Sequence, residues 1–214
     1  MVESSSLRLG LSMRVVAAPG YREDRDALAR DWGVFMSRVM PEVSWLPVPN
    51  LGRAVVDYVA GWGLNGFILT GGNDLGEAPI RDETEKALLD YALEHSLPVL
   101  GVCRGLQMMC HYFGRAVTPC PVEDHVAVRH PVRLVDPPFT EMDESMTVNS
   151  FHERCVGRAS DFTGPLTAFA VSPDGLVEGA YCREKKLLGI MWHPERNHPS
   201  AEADMRLVRA FFGV

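Results

Sequence analysis

The chain has 214 residues, of which 46% are hydrophobic and 23% are charged, and its formal net charge is −7. This length and composition are ordinary for one soluble domain with a sizeable core. The acidic balance argues against a general nucleic-acid surface, and no apolar run reaches the roughly 20 residues that a transmembrane helix needs. The first 13 residues contain no long apolar run, so we expect no signal peptide, and the five cysteines form no CxxC pair. We therefore expect a protein of the reducing cytoplasm, with neither membrane nor nucleic acid as a partner.

The first half of the chain predicts alternating buried strands and amphipathic helices. Apolar runs ended by Gly or Pro indicate the strands, and apolar residues at helical spacing indicate the helices. Residues 1–12 are expected to form a flexible tail. In chain order we then expect strand 13–19, helix 23–39, strand 43–49, helix 51–62, strand 66–72, helix 81–95, strand 97–103 and helix 106–113.

Short links between alternating elements imply an α/β fold with a mostly parallel central sheet and helices on both faces. In the second half, short β-rich segments broken by Pro, Gly and Asp predict extra antiparallel strands at 125–135, 146–151, 166–172, 176–182 and 187–192. A final helix is expected at 201–212. No repeat or linker divides the chain, so residues 13–214 are predicted to form a single domain.

The stretch "LGVCRGLQMM", from Leu100 to Met109, places one cysteine between two glycines where a strand meets a helix. G-x-C-x-G is the thiol form of the elbow that exposes a nucleophile on a strained turn. The dipole of the following helix stabilises a Cys103 thiolate, and the N–H of Arg104 is placed to bind an oxyanion. A buried structural cysteine beside helix-start glycines explains the pattern equally well when it is taken alone.

A nucleophilic cysteine needs a histidine base with an orienting carboxylate. "LLGIMWHPERNHP" offers both, because His193 ends an apolar strand and Glu195 follows two residues later, on the same side of an extended segment. Pro194 and Pro199 argue against a helical HExxH zinc motif, so no metal site is predicted. A polar surface loop is the alternative explanation of this stretch.

Two loops offer groups for binding a ligand. Gly71 and Gly72 end a strand, and a backbone N–H there can approach a ligand closely and complete an oxyanion hole with the Arg104 N–H. In "VNSFHERC", the side chains of Asn149, Ser150 and His152 can hydrogen-bond a small polar ligand. An ordinary turn explains the first loop, and a hairpin or helix cap explains the second.

Taken together, "TGGND", "RDETE", "LGVCRGLQ", "VNSFH", "SPDGLVEG" and "MWHPER" resemble the class I glutamine amidotransferase superfamily, and within it the γ-glutamyl hydrolase branch, peptidase C26. The motifs occur in the family's order and cover most of the chain from about Met13 onward. The resemblance implies a flavodoxin-like catalytic domain and a glutamyl-thioester mechanism without metal or cofactor. It also implies that the substrate is a small γ-glutamyl molecule.

Carried over by motif, the resemblance makes Cys103 the nucleophile, His193 the base and Glu195 its orienter. The amides of Gly72 and Arg104 would form the oxyanion hole. The γ-glutamyl part of the substrate would be held by a further set of residues, which are Gly71, Gln107, Asn149, Ser150, Phe151 and His152.

The Arg104 side chain leaves two hypotheses open: it binds an anionic group of the substrate, or it is salt-bridged to the protein. "CRGLQ" also differs from the synthase-associated glutaminases, which more often carry a hydrophobic or aromatic residue at this position.

The segments "YREDRDALARDWGVFM" and "WLPVPN" resemble a bacterial subgroup linked to surface-polysaccharide clusters, which includes the γ-glutamyl-CDP-amidate hydrolase type. That resemblance implies a nucleotide-linked substrate.

Two other functions compete with hydrolysis of a γ-glutamyl conjugate. The first is a glutaminase subunit that delivers ammonia to a separate synthase partner. The second is a binding module without enzyme activity on the same fold, which a complete Cys-His-Glu triad argues against. The residues leave open whether the chain forms a homodimer.

Overall fold

The computed structural model describes residues 6–139, 144–197 and 201–214. Strands and helices follow one another along the chain with the bounds β1 (Arg8–Ser12), β2 (Arg14–Ala17), β3 (Asp24–Ala27), α1 (Arg30–Val39), β4 (Ser44–Val48), α2 (Val55–Gly61), β5 (Gly66–Leu69), α3 (Pro79–Glu94), β6 (Val99–Val102), α4 (Arg104–Tyr112), β7 (Thr118–Pro119), α5 (Val122–His125), β8 (Val126–Leu134), β9 (Ser145–Phe151), β10 (Arg154–Cys155), β11 (Thr167–Val171), β12 (Val177–Cys182), β13 (Leu187–Ile190) and α6 (Glu202–Phe212).

The main sheet of the described chain has nine strands in the order β4-β1-β5-β6-β13-β12-β11-β8-β9. The strands from β4 to β13 pair in parallel, and those from β13 to β9 pair antiparallel. The predicted α/β class and the extra antiparallel strands of the second half are therefore confirmed. β13 is predicted as one of those antiparallel strands, but it also pairs in parallel with β6, which brings its carboxyl end beside that of β6.

Two apolar clusters cover the faces of this sheet. One contains Val59 of α2, Leu88 of α3 and Leu106 of α4, and the other contains Phe35 of α1 and Val208 of α6. Both faces of the parallel strands are thus buried, which explains why those strands are continuous apolar runs rather than alternating ones. Within the described residues, no helix is long and apolar enough to cross a membrane.

The N-terminal prediction is wrong in two places. Residues 8–12 form β1, a buried strand between β4 and β5, instead of part of a flexible tail. The run from Met13 to Pro19, predicted as a core strand, contributes β2 to a two-stranded hairpin with β3. The prediction misses "RLGLS" because its apolar residues are few, yet Leu9 and Leu11 are fully buried and Gly10 lets Val48 pack against the backbone. Residues 1–5 of the predicted tail lie outside the described residues.

The five predicted helices are close to their observed positions, with one exception, whereas the short helix α5 was not predicted. α1 begins at Arg30 rather than at residue 23, because Asp24–Ala27 pairs with β2. The helix expected at 51–62 is a 3₁₀ turn, Gly52–Ala54, followed by α2. α3, α4 and α6 match their predictions to within two residues at each end.

Candidate active site

The carboxyl ends of β5, β6 and β13 meet at one edge of the sheet, and each continues into a predicted site segment. β5 leads to Gly71 and Gly72, β6 leads to Cys103, and β13 leads to His193. This is the edge at which parallel α/β sheets bind their ligands. The topology therefore brings together three segments that lie far apart in the sequence.

Cys103 occupies a strained turn between β6 and α4. Its backbone has φ 52° and ψ −103°, in a region that residues with a side chain rarely adopt. The two flanking positions must be glycine, because a side chain there would clash with neighbouring backbone atoms. A Cβ on Gly101 would lie 2.5 Å from the Gly105 carbonyl carbon, and one on Gly105 would lie 2.2 Å from the Leu69 oxygen. The Cys103 N–H donates to the carbonyl oxygen of Ile190 at 2.7 Å, which attaches the turn to β13. The strand–turn–helix geometry expected of an elbow is therefore present.

His193 and Glu195 form a buried pair beside this turn. The Nδ1 atom of His193 lies 2.7 Å from Oε1 of Glu195. The segment after His193 is a 3₁₀ turn, Pro194–Arg196, rather than the predicted extended chain. The turn nevertheless brings the carboxylate back to the imidazole, so the predicted pairing is present on a different backbone.

The remaining nitrogen of His193, Nε2, is buried and has no hydrogen-bond partner in the described part of the chain. Burial lowers the pKa of His193, but attraction to Cys103 and the hydrogen bond to Glu195 outweigh burial and raise that pKa to about 9. An imidazolium is thus favoured at neutral pH, next to the cysteine. The arrangement can hold a thiolate–imidazolium pair and exchange a proton through Nε2.

The imidazole plane is held by its neighbours. A Cβ on Gly71 would lie 2.6 Å from Cε1 of His193, so only glycine fits there. On another side, the half-exposed ring of Phe151 meets the imidazole edge-to-face, with 5.9 Å between centroids. Two residues predicted to contact substrate thus also orient the predicted base.

Asn149 clamps the backbone of His193. Its Oδ1 accepts from the His193 N–H at 2.8 Å, and its Nδ2 donates to the His193 carbonyl oxygen at 2.8 Å. Nδ2 also donates to Oδ1 of Asn197, whose own amide donates to Asp204 at 2.7 Å. The Asp204 carboxyl at the end of this hydrogen-bond chain is buried, and its burial raises its pKa. The sequence singled out Asn149 as a substrate ligand, whereas this positioning role depends on a contact between distant strands.

A buried ion network lies under the Gly71–Gly72 loop. The guanidinium of Arg81 donates to the carbonyl oxygens of Thr70 at 2.7 Å, Gly71 at 3.3 Å and Gly72. Its Nε donates to Glu85 at 3.0 Å, and Ser12 donates to the same carboxylate at 2.8 Å. The loop that carries the predicted oxyanion-hole amide is thereby fixed from below. Sequence reasoning missed this role for Arg81 and Glu85, because it requires α3 to pack against the end of β5.

The Arg104 side chain belongs to the same network. Its guanidinium pairs with Glu85 and Asp82, and only 2% of the side chain is exposed. Burial raises the pKa of Glu85, but Arg104 and Arg81 outweigh it, so that pKa lies below its usual value. Of the two hypotheses for Arg104, the structure therefore favours the salt bridge within the protein over binding of a substrate anion. Its backbone N–H remains at the start of α4, beside Cys103.

The other predicted substrate residues have protein partners. Gln107 Nε2 donates to the Arg154 carbonyl oxygen at 3.1 Å, and Nδ1 of His152 lies 3.1 Å from the same oxygen. Ser150 Oγ donates to the His125 carbonyl oxygen at 2.7 Å. These contacts order the loop beside the elbow. Contact of Gln107, Ser150 and His152 with a substrate stays a prediction.

Partly exposed arginines surround this edge of the sheet. The stem of Arg14 lies over Gly72, and the guanidinium of Arg196 lies 4.6 Å from the ring centroid of Phe151. Arg154 pairs with Asp74 at 3.2 Å and is 41% exposed. Three guanidinium groups therefore lie at the border of the site, and two of them also have a carboxylate neighbour, Asp74 for Arg154 and Glu195, at 3.8 Å, for Arg196.

Known proteins resemble this chain in both sequence and fold. The Peptidase C26 family model matches residues 43–195, which include Cys103, His193 and Glu195. γ-Glutamyl-CDP-amidate hydrolase of Campylobacter jejuni is 30% identical over 196 residues, or 89% of this chain and 90% of that protein. One subunit of the glutamine-hydrolysing GMP synthase of Methanoregula boonei is 30% identical over 133 residues, or 62% of this chain and 66% of that protein.

A solved glutamine amidotransferase from Thermotoga maritima superposes with a TM-score of 0.63 at 16% identity, covering 97% of this chain and 82% of that one. This likeness shows a shared fold. The family resemblance drawn from the sequence motifs is confirmed by the family model and by the relatives. The chain therefore belongs to the Peptidase C26 family and is an amide hydrolase on the class I glutamine amidotransferase fold.

Proposed function

We propose that this enzyme hydrolyses the γ-glutamyl amide bond of a conjugate whose amine portion carries a phosphate-like negative charge, such as a nucleotide-linked amidate. The reaction type is supported by one observation: the Cys103 elbow lies beside the His193–Glu195 pair. Because Glu195 occupies Nδ1 of His193, the unpartnered Nε2 is available to exchange a proton with the thiol.

In the first half of the reaction, the Cys103 thiolate attacks the γ-carbonyl carbon and forms a C–S bond. The carbonyl electrons move onto oxygen, where the N–H groups of Gly72 and Arg104 receive the negative charge. When the carbonyl re-forms, the C–N bond breaks and the proton on Nε2 of His193 passes to the leaving amine. A glutamyl thioester and a neutral imidazole remain.

In the second half, neutral His193 takes a proton from water as that water attacks the thioester carbon. The C–S bond breaks, glutamate leaves, and the thiolate–imidazolium pair is restored. Glu195 keeps Nδ1 as the donor of the 2.7 Å hydrogen bond throughout, so Nε2 is always the nitrogen that moves the proton. Every proton and leaving group in the cycle is handled by these side chains, the substrate and water.

The charged leaving group is supported by the three arginines at the border of the site. Arg14, Arg154 and Arg196 present guanidinium groups around the elbow, and guanidinium is well suited to phosphate oxygens. The Campylobacter jejuni relative, similar along nearly the whole chain, is named for a nucleotide-linked substrate of this kind.

The experiment is glutamate release by the purified chain from glutamine, γ-glutamyl-GABA, a γ-glutamyl-polyamine and a γ-glutamyl-CDP conjugate. We expect the nucleotide conjugate to give the highest kcat/KM. Replacing Arg154 by Gln should raise KM for that conjugate by about 10-fold or more, as loss of charge-assisted hydrogen bonds does, and should not raise KM for the γ-glutamyl-polyamine, whose amine portion is cationic. Equal effects on both substrates would contradict the charged leaving group.

The role of Cys103 is tested in the same assay. Cys103→Ala should lose at least about 10³-fold in kcat, because the acyl-enzyme route is removed. Cys182→Ala is the matched control, since Cys182 is also buried but pairs with Leu187, at the end of β13 remote from His193. Retained turnover in Cys103→Ala would overturn the mechanism.

The second candidate function is a glutaminase that works as one subunit of a synthase, supported by similarity to the GMP synthase relative of Methanoregula boonei. That function requires a synthase partner that accepts ammonia. Release of glutamate from glutamine alone, or activity only after a partner is added, would favour it over the hydrolase.

A further inference from the structure

Four side chains from separate segments converge beneath the β8–β9 hairpin, outside the Cys103–His193–Glu195 site. Oε1 of Glu178, on β12, lies 3.4 Å from Nδ1 of His125, 3.4 Å from Nε2 of His152 and 4.0 Å from Nε2 of His130. His125 is 1% exposed, His152 is 3% exposed, and Glu178 is completely buried. We refer to these four residues as the His₃Glu cluster.

The atoms that face one another in this cluster lack hydrogen bonds. Nδ1 of His125, Nε2 of His130, Nε2 of His152 and both carboxylate oxygens of Glu178 are buried, with no partner of acceptable hydrogen-bond geometry in the part of the chain that the structure describes. Each buried polar group left without a partner costs roughly 1–3 kcal/mol. Five such atoms face one another at 3.4–4.0 Å, and an occupant at their centre would satisfy them better than these long contacts do.

The outward nitrogen of each histidine does have an acceptor. Nε2 of His125 lies 3.1 Å from Oδ2 of Asp174, Nδ1 of His152 lies 3.1 Å from the Arg154 carbonyl oxygen, and Nδ1 of His130 lies 3.2 Å from the Pro131 carbonyl oxygen. Each outward nitrogen thus carries the N–H, and each inward nitrogen presents a lone pair. Metal-binding histidines are oriented by carboxylate and carbonyl acceptors of this type.

We propose that the His₃Glu cluster binds one divalent transition-metal ion, for which Zn²⁺ has the best-matched chemistry. Three imidazole nitrogens and one carboxylate oxygen form a four-coordinate set of the type that zinc accepts. Ligand atoms of His125, His130 and Glu178 all lie within 4.8 Å of one another, and His152 completes the set through its contact with Glu178. Tetrahedral zinc with bonds near 2.0 Å places its ligand atoms about 3.3 Å apart. The two 3.4 Å contacts of Glu178 already match that spacing, whereas His130 and the facing histidine nitrogens have to move closer when the ion binds.

The site would be structural, because all four positions are filled by protein and the cluster excludes Cys103 and His193. It would connect the segments that position the base. Ser150 Oγ and the His152 N–H both donate to the His125 carbonyl oxygen, and Asn149, the clamp on His193, precedes Ser150 on β9. The Glu178 carbonyl oxygen accepts from Met191, two residues before His193.

A network of bound protons is the competing explanation of the cluster. Without a metal, the interaction with Glu178 outweighs burial and raises the pKa of His125 to about 9, so that an imidazolium would balance the carboxylate. Metal and protons compete for the same lone pairs. Metal content and ligand-field absorption distinguish the two occupants, whereas activity alone does not.

The experiment starts from the full chain, produced with and without added zinc and dialysed against chelating resin. Elemental analysis should find about one zinc per chain, and Co²⁺ added to the stripped protein should give the intense visible absorption of a tetrahedral site. His130→Ala and Glu178→Gln should abolish both signals. His95→Ala, a change at an exposed histidine that directly follows α3, should preserve them.

Asp174→Asn guards against loss of the fold, because Asp174 is partly exposed and Asn keeps an Oδ1 acceptor for the Ser172 hydroxyl and the Leu176 N–H while removing the carboxylate charge that faces His125. It should keep the native circular dichroism spectrum and weaken metal affinity about 10–100-fold. Wild-type protein that binds neither zinc nor cobalt, while folded and active on its substrate, would overturn the metal site and leave the proposed hydrolase intact. Binding that survives Glu178→Gln and His130→Ala together would overturn the assigned ligands.

Discussion

The imidazole of His193 is constrained by four neighbouring residues. Gly71 leaves room for it, Phe151 packs against it, Asn149 holds its backbone and Glu195 fixes its tautomer. Precise placement matters because proton transfer through Nε2 requires hydrogen-bond distance to the reacting atom. In the proposed mechanism, catalysis therefore depends on a few contacts whose removal is measurable.

Glu195→Gln tests how much of the His193 basicity comes from the carboxylate. Burial lowers the pKa of His193, while Cys103 and Glu195 raise it from 6.5 to about 9. Because the imidazolium form persists up to that pKa, kcat/KM of the wild type should fall as pH rises through about 9. In Glu195→Gln this alkaline limb should move to lower pH, and kcat should drop roughly 10²–10⁴-fold.

A pH–rate profile of both proteins is the measurement, with Glu202→Gln, an exposed change on α6, as control. An alkaline limb at the same pH in Glu195→Gln and in wild type would contradict the role of this carboxylate.

At the scale of elements, α4 packs against the ends of β5 and β6 more closely than a side chain permits. Gly105→Ala would place its Cβ 2.2 Å from the Leu69 carbonyl oxygen, so helix and strand must move apart. We expect a loss of about 3 kcal/mol or more in the free energy of unfolding, together with lower activity from a displaced Cys103. Urea denaturation, monitored by circular dichroism, measures the change in the free energy of unfolding.

The matched control for this change is Gly33→Ala in α1. A Cβ at Gly33 meets no atom within 4 Å, so the substitution should stabilise the protein by about 0.5–1 kcal/mol through helix propensity. Equal and small effects at both glycines would show that the contact between Gly105 and Leu69 is not tight.

The ion network joins α3, α4 and the loop after β5 through Glu85. Glu85→Gln leaves Arg81 and Arg104 buried with less opposing charge, and removing one partner of a buried pair costs about 3–5 kcal/mol. The exposed Glu184→Gln should change the free energy of unfolding by less than about 0.5 kcal/mol. Urea denaturation at pH 7 compares them, and equal stability of the two variants would contradict the network.

The dependence of the free energy of unfolding on pH tests the same contribution of Glu85. The folded-state pKa of Glu85 lies below its ordinary 4.5, because Arg104 and Arg81 outweigh burial. Its contribution is therefore present above pH 4.5 and is lost as pH falls through the lowered value. Below pH 4.5, the free energy of unfolding should decline less steeply in Glu85→Gln than in wild type.

These element-level contacts show where sequence reasoning was sufficient. The glycines around Cys103 predicted the elbow, because a sharp strand–helix turn has a local signature. The ion network under Gly72 has no such local signature, because Arg81 and Glu85 look like ordinary charged residues of a helix. Their role becomes visible only when α3 packs beside β5. The same is true of Asn149, whose pairing with His193 spans 44 positions of sequence separation.

For the whole molecule, the sheet depends on its N-terminal strand. β1 lies between β4 and β5, and Leu9 and Leu11 are fully buried. A chain that starts at Met13 should therefore fail to fold, because two neighbouring strands lose their shared partner and an apolar cavity opens between them. A chain that starts at Ser6 retains all of β1 and should fold. Soluble yield and cooperative thermal unfolding measure the difference, and a folded Met13 product would contradict it.

The amino-acid sequence alone determined the α/β class, most helices and strands, and the motifs of Cys103, His193 and Glu195. These signals are local: hydrophobic periodicity, turn residues and short spacings follow from one segment at a time. The sequence misplaced the N-terminal core strand, because distant elements bury β1 on both faces and its own few apolar residues give only a weak signal. Only the tertiary structure decided that Arg104 pairs with Glu85, that Asn149 holds His193, and that three histidines face Glu178. Those contacts join residues 19 to 53 positions apart, and their energies exist only once the sheet brings the segments together.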